Sequence, residues 1–266
     1  MIGCSSTTDY SEAIAYLRED VLINIGLLNS LQRNVPPVPK QVWVARGLGS
    51  GTVGVIVLEE MPHGRYASLH AHSPEAVEAL LRCLDKNKTY PILVCGAVNE
   101  LLRTVVPKAK PESINLVMTL AHGDLCQVDR PGEIRRLTPA DKALTDAFAS
   151  PRPTLTDFVQ WAANDPDKSV VFGLIVGGKI ASFVQFGEDI DEYWQVGDIR
   201  TRTDLTRRGF AKALLAHASA ELLASARTPL YDVRHKNIAS IRTAEAVGFR
   251  ERCRRYGYEV NAKDVA

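Results

Sequence analysis

The chain has 266 residues, enough for one large or two ordinary domains with ample length to bury a core. Its 32 basic residues nearly match its 31 acidic ones, so a net charge of +1 supplies no global field for nucleic acid or an anionic membrane. Five cysteines, Cys4, Cys83, Cys95, Cys126 and Cys253, are odd in number and lack C-x-x-C spacing, which argues against a disulfide framework or structural zinc and fits a reducing cytoplasm. No apolar run approaches the roughly 18 residues of a membrane span. Cys4, with no apolar stretch before it, reads as part of a loose N-terminus.

In chain order, the spacing predicts helices over residues 11–20 and 21–31, with Ile14, Leu17, Leu22, Ile25 and Leu28 on a helical period. A proline-rich break at 35–39 stops them. Residues 41–46 and 52–59 read as a hairpin around Gly49-Ser50-Gly51, and 66–70 as a further strand. Ser73 caps the next helix, with Pro74 at its first position and Ala76, Leu80 and Leu84 on its apolar side. A short buried strand over 92–94 follows, then a helix over 98–105 broken by Pro107 and Pro111, and a strand over 114–120.

The second half repeats that order. Residues 133–137 form a strand, Thr138-Pro139 opens a helix, and 155–163 make another. A hairpin over 170–176 and 179–186 turns at Gly177-Gly178. After it come a strand over 194–201, a helix from Phe210 with Leu214, Ala218 and Leu222 on one face, a strand over 229–233, a helix opened by Asn237, and terminal strands over 252–260. The repeated order predicts two copies of one fold, residues 1–130 and 131–266, joined near 129–132.

Residues 199–249 carry the chemistry. The chain passes from a half-buried strand through Arg207-Arg208-Gly209-Phe210-Ala211 into a helix. Gly209 removes the Cβ that would hold a ligand off the backbone, and Ala211 is the next smallest choice. The first amides of a helix have no partner within it, and the macrodipole favours negative charge before them, so this turn is an anion site and most simply a phosphate site. Arg207 and Arg208 add two permanently charged forks.

Thr206-Arg207-Arg208-Gly209-Phe210-Ala211 resembles the pyrophosphate loop of the GCN5-related N-acetyltransferase (GNAT) superfamily, Gln/Arg-x-x-Gly-x-Gly/Ala, with Thr206 departing from the first position. The preceding strand at Ile199-Arg200-Thr201, the later strand Pro229-Leu230-Tyr231-Asp232-Val233, and Asn237-x-x-Ser240 leading to Gly248-Phe249 keep the family's order. The last segment is similar to the FR47-like branch. The resemblance implies a tandem GNAT-like acyl-CoA N-acyltransferase fold, α/β with a mixed sheet, in two similar domains.

It further implies acetyl-CoA as co-substrate, with its pyrophosphate on the amides of Arg207, Arg208, Gly209, Phe210 and Ala211. The pantetheine arm would lie along Ile199, Arg200 and Thr201, and Asn237 would contact it. At the corresponding place the first half has His70-Ala71-His72-Ser73-Pro74-Glu75. Pro74 removes an amide donor and Glu75 adds negative charge, so one cofactor site is expected, in the second half.

The chemistry expected is direct transfer to an amine in a ternary complex, without a catalytic cysteine. The family's tyrosine acid falls at Ala244 here. Catalytic candidates are Glu188, in an acidic group with Asp189, Asp191 and Glu192, then Asp198 on the central strand and Tyr258 on a terminal strand beside Tyr256. His235 reads as a loop histidine, Asn237 also as an N-cap, and the pair His70 and His72 lacks further ligands for a metal, so no metal is expected. The acceptor is expected to be a small-molecule amine or amino-acid-like compound, with a protein lysine left open, and no nucleic-acid or membrane partner; the oligomeric state stays open. Two alternatives remain beside the enzyme. One is a non-catalytic acyl-CoA-binding protein or scaffold; the other is an aminoacyl-tRNA-dependent transferase, against which the phosphate turn and the balanced charge speak.

Overall fold

A computed structural model describes residues 2–32, 38–49, 51–61, 64–129, 131–149, 151–188 and 190–265. The proline-rich break at 35–37, Ser50, Asp189 and the side chain of Glu188 lie outside what is described. The chain divides into two compact units, Met1–Asn115 with Cys253–Ala266, and Leu116–Arg252.

The first unit contains β1 (Ile2–Thr7), α1 (Ser11–Leu17), α2 (Val21–Gln32), β2 (Lys40–Gly47), β3 (Gly51–Met61), β4 (Gly64–Ala71), α3 (Pro74–Leu81), β5 (Thr89–Cys95) and α4 (Val98–Val105). The units divide within β6 (Pro111–Thr119). Pro111, expected to break the chain, opens this strand, a position where a missing amide donor costs no ladder bond. Strands β1 to β4 form an antiparallel meander, and β5 joins β4 in parallel over Ala67–Leu69 and Ile92–Val94. Ala76 and Leu80 pack as the helical spacing predicts, against Ile56, Leu69, Ile92 and Val94, whereas Leu84, expected on the same helix, reaches this cluster from the turn after α3 ends at Leu81.

Cys4 corrects the expectation of a loose N-terminus. It pairs in register with Ala45, and with Ile2 it packs on the first core. Only six residues long, β1 carries too little alternation to stand out in the sequence.

The second unit contains β7 (Glu133–Arg136), α5 (Lys142–Asp146), α6 (Leu155–Asn164), β8 (Ser169–Val176), β9 (Lys179–Glu188), β10 (Tyr193–Thr201), α7 (Phe210–Ala224), β11 (Thr228–Arg234) and α8 (Ile238–Val247). Here the strand order is β6-β11-β10-β9-β8-β7. Two apolar clusters are built on it. One joins Phe172, Val184, Phe186, Trp194 and Val196 to Leu214, Ala218 and Leu222 of α7 and to Ile241, Ala244 and Val247 of α8. The other joins Leu137, Val171 and Phe183 to Phe158 and Val159 of α6. The repeating Leu214, Ala218 and Leu222 are each essentially solvent-free, as their spacing predicts.

The end of the chain differs from the sequence-based expectation. Residues 250–261 form one long strand, β12 (Arg250–Asn261), whose residues from Cys253 onward belong to the first unit, where Arg255–Asn261 pair antiparallel with Thr89–Cys95 of β5. The division at residues 130 and 131 therefore does not coincide with the observed units. A repeated order of elements does not reveal which unit a terminal strand joins. Gly257 marks the join: a Cβ there would press on Ser113 Oγ.

Gly248 closes α8 at φ +113°, and a Cβ there would run into the Asp124 carbonyl. Gly248→Ala is expected to lower unfolding free energy by about 2–4 kcal/mol, from left-handed strain together with a backbone collision; chemical denaturation checks it. In the first unit, burial with His72 alongside pushes His70 down to about 4, with Asp20 acting in the opposite sense. A histidine held neutral in the fold binds fewer protons than it does unfolded, so its contribution is whole above about pH 6.5 and is lost as pH falls towards 4. Thermal melts across that window are expected to fall less steeply for His70→Gln than for the unmodified chain.

Candidate active site

Strands β10 and β11 run parallel and pair only over Tyr193–Gln195 and Thr228–Leu230. Beyond that, β10 continues to Thr201 and β11 to Arg234 with no further pairing between them among the described residues, so the two strands present backbone edges to a gap. Immediately past the paired segment, β10 carries a bulge: Val196 faces Phe186 and Asp198 faces Gln185, leaving Gly197 as the extra residue. The Gln185 side-chain amide packs against the Gly197 Cα, where a Cβ would displace it. The bulge re-phases the strand, and Asp198, Ile199, Arg200 and Thr201 follow it in register with Gln185, Val184, Phe183 and Ser182.

The chain then turns into α7. Arg207 takes φ +62° and Gly209 φ +81°, two left-handed residues flanking Arg208. For an arginine this conformation is strained, and such alternation turns successive amides towards one concavity suited to an anion. No side chain caps α7. Gly209 is required for its φ alone, since a Cβ would meet nothing within 4 Å. Arg207 and Arg208 are exposed at this turn. Phe210 is buried and anchors the first turn in the apolar cluster, while Ala211 is half-buried beside it.

The corresponding turn of the first unit is already satisfied. There the Ser73 hydroxyl accepts from the amide of Ala76 at 3.2 Å, and Pro74 occupies the first helical position. The contrast carries into composition: Ser-Pro-Glu closes one helix start, whereas Arg-Arg-Gly leaves the other open.

The structure brings Ile199, Arg200, Thr201, Arg207, Arg208, Gly209, Phe210 and Ala211 into one continuous strand-turn-helix segment. Individual side chains have distinct employments. Arg200 pairs with Asp198, donates to the Pro151 carbonyl at 3.0 Å, and lies over the rings of Phe158 and Phe183. This side chain ties β10 to the segment before α6, and only the Arg200 backbone remains for a ligand at the strand edge. Thr201 shares its hydroxyl with Ser182 at 2.9 Å. Asn237 caps α8, its Oδ1 accepting from the Ser240 amide at 3.2 Å. Its remaining amide group is exposed.

The catalytic candidates separate. Asp198 is on β10 at the bulge, about one-fifth exposed and held by Arg200. Glu188 ends β9 opposite Trp194. Tyr258 is not at this gap: it is built into the core of the first unit, where its hydroxyl donates to Asn99, and Tyr256 packs on the same cluster. An aromatic near the end of the sequence reads as available to the second half only while the strand carrying it is assigned there. His235 occupies the turn after β11. His70 and His72 stand with their Nε2 atoms 3.4 Å apart beside Tyr16.

One residue at the gap escapes sequence reasoning. Tyr231, the first residue of β11 past the paired segment, is buried with its hydroxyl 3.1 Å from Ser240 Oγ of α8. Burial, more than the charge of Asp198, pushes its phenol above the ordinary value, while the Ser240 contact acts the other way. No spacing rule distinguishes such a tyrosine from a core residue of a strand.

Residues 137–249 match the model of the Acetyltransferase (GNAT) family. No curated protein matches the sequence. Among solved structures the fold is similar to an acetyltransferase of the GNAT family from Colwellia psychrerythraea (TM-score 0.65, 14% identity, 96% of this chain and 98% of that one). It is also similar to a tandem GNAT protein from the clavulanic acid biosynthesis pathway (0.64, 13%, 98% and 99%). A third is a GCN5-related N-acetyltransferase from Sphaerobacter thermophilus (0.64, 12%, 97% and 96%). The family match spans the bulged strand, the left-handed turn and the Asn237 helix together, and over its length the chain has the fold of the tandem GNAT structure it resembles.

Proposed function

We propose that the chain is an acyl-CoA-dependent N-acyltransferase that moves an acetyl group from acetyl-CoA to an amine by direct attack in a ternary complex. The observation that carries this reading is the uncapped start of α7, preceded by two left-handed residues and two arginines, at the end of a strand whose far edge is unpaired. A diphosphate suits the turn because backbone amides, helix dipole and guanidinium charge all act on it. The amide-bearing pantetheine arm suits the gap, since residues 196–201 and 231–234 have backbone groups to offer it as an inserted strand would. A backbone amide at the bulge is suited to polarise the thioester carbonyl, and Asn237 to meet the arm from the start of α8.

In this reading the amine nitrogen attacks the thioester carbon, and Asp198, at the bulge, is the acid group nearest to receive the ammonium proton through water. Glu188 is the second such candidate. The acceptor is read as a small-molecule amine or amino-acid-like compound, in the cytoplasm. A second reading, acyl-CoA binding without transfer, is favoured by one feature: Ala244 fills with a methyl group a position fully enclosed in the core.

Calorimetric titration with acetyl-CoA tests the binding. The unmodified chain is expected to bind, and Gly209→Val combined with Arg207→Ala and Arg208→Ala is expected to weaken binding by at least about tenfold, each lost charge-assisted contact being worth about 1.5–3 kcal/mol. No binding by the intact chain, or equal binding by the triple variant, would overturn the reading. Release of free thiol in the presence of amines separates the enzyme from the silent binder.

A further inference from the structure

At the point where β10 and β11 part, one buried group bears a proton that neither diphosphate binding nor strand pairing uses. The Tyr231 phenol leaves β11 at the first residue past its pairing with β10, its ring edge-on to Phe249 with centroids 5.7 Å apart. Its hydroxyl meets Ser240 in the first turn of α8. Ser240 and Ala244 are four residues apart and share one face of that helix. Across the gap is Asp198 at the bulge, near enough for its charge to act on the phenol. We propose, resting on the acyl-CoA reading above, that Tyr231 is the catalytic acid that protonates the departing thiolate, with Ser240 relaying its replacement proton.

The step balances. The amine nitrogen attacks the thioester carbon, the C–S bond breaks, and its electron pair goes to sulfur, which takes the Tyr231 proton. The ammonium releases its proton to water. Ser240 then donates its hydroxyl proton to the phenolate and recovers one from solvent. A phenol kept protonated by burial arrives at each turnover with the proton in place.

Tyr231→Phe keeps the ring and its packing and removes the hydroxyl. With acetyl-CoA and a panel of amines, it is expected to lower kcat by about 10²-fold or more while leaving acetyl-CoA binding within a factor of two, with Ser240→Ala giving a smaller loss in the same sense. If the unmodified chain turns over no amine of the panel, the ionisation of bound CoA is read instead by its ultraviolet thiolate absorbance. A hydroxyl donating to sulfur favours the thiolate, so Tyr231→Phe is expected to shift that titration to higher pH. Unchanged kcat where turnover is seen, or an unshifted titration where it is not, overturns the assignment. Absence of acetyl-CoA binding by the unmodified chain overturns the acyl-CoA reading and this role with it.

A second inference comes from the first unit and is independent of that reading. Four of the five thiols stand there in two pairs, Cys4 with Cys83 at 2.7 Å and Cys95 with Cys253 at 3.0 Å between sulfurs, neither pair joined as a disulfide. Each pair is within about 1 Å of the ~2.05 Å disulfide bond length, although the partners are 79 and 158 residues apart in sequence. The geometry points to two sites of oxidative modification, the second of which would fasten the returning strand β12 to β5.

With hydrogen peroxide as oxidant, one thiolate of a pair attacks a peroxide oxygen and becomes a sulfenic acid as water leaves. The partner sulfur then displaces the hydroxyl as a second water, so two thiols give two electrons and two protons to one peroxide. After peroxide treatment of the full chain, alkylation and non-reducing peptide mass mapping are expected to find Cys4 joined to Cys83 and Cys95 joined to Cys253, with Cys126 alkylated. Scrambled pairs, or alkylation of all five, would overturn it.

Discussion

The second unit is organised by an interruption of hydrogen bonding. Two parallel strands share three residue pairs and then separate, which leaves amides and carbonyls that must find partners in water or in a bound molecule. A fold tolerates such an opening only where neighbouring strands are secured. Here β9 pairs with β10 across the bulge to Thr201, and Arg200 is held by Asp198, two proline carbonyls and two aromatic rings. The gap is therefore framed by backbone pairing and the Arg200 contacts, and the pre-organisation that the proposed transfer would require rests on these more than on any one catalytic group.

The same logic explains why the two units differ although their elements follow one order. In both, a short parallel pairing precedes a helix. In the first unit the helix start is occupied by its own serine, a proline supplies no amide, and the adjacent histidines pack at a tilt against Tyr16. In the second, a strained Arg207 and a left-handed Gly209 hold the helix start open. An arginine in that conformation is unfavourable by itself and persists where the surroundings impose it.

Much of this was legible in the sequence because it is local. Leu214, Ala218 and Leu222 announce the helix by period, Ser73-Pro74 announces a capped start, and Gly209 between arginines and an apolar run announces an open one. What was not legible is set by partners remote in the chain. Asp198 is as apparent in the sequence as Arg200, but their mutual pairing lies just past a bulge at Gly197, whose place is set by the register with β9. Tyr231 reads as one more aromatic in a strand until Ser240 is seen beside its hydroxyl. Tyr258 reads as a neighbour of the second half, since nothing local tells a strand which sheet it will enter.

That last strand has a consequence for the order of assembly. Every element of the second unit, from Leu116 to Arg252, is synthesised before residues 253–261, which supply the first unit with the partner of β5. As the chain emerges, the unit encoded first has β5 exposed along the edge that β12 will cover, while the unit encoded second already has all its strands. The customary order, N-terminal domain first, is thus reversed for completion. The long sequence separation between β5 and β12 makes closure of the first unit a late event of high contact order, with an open strand edge exposed until it occurs.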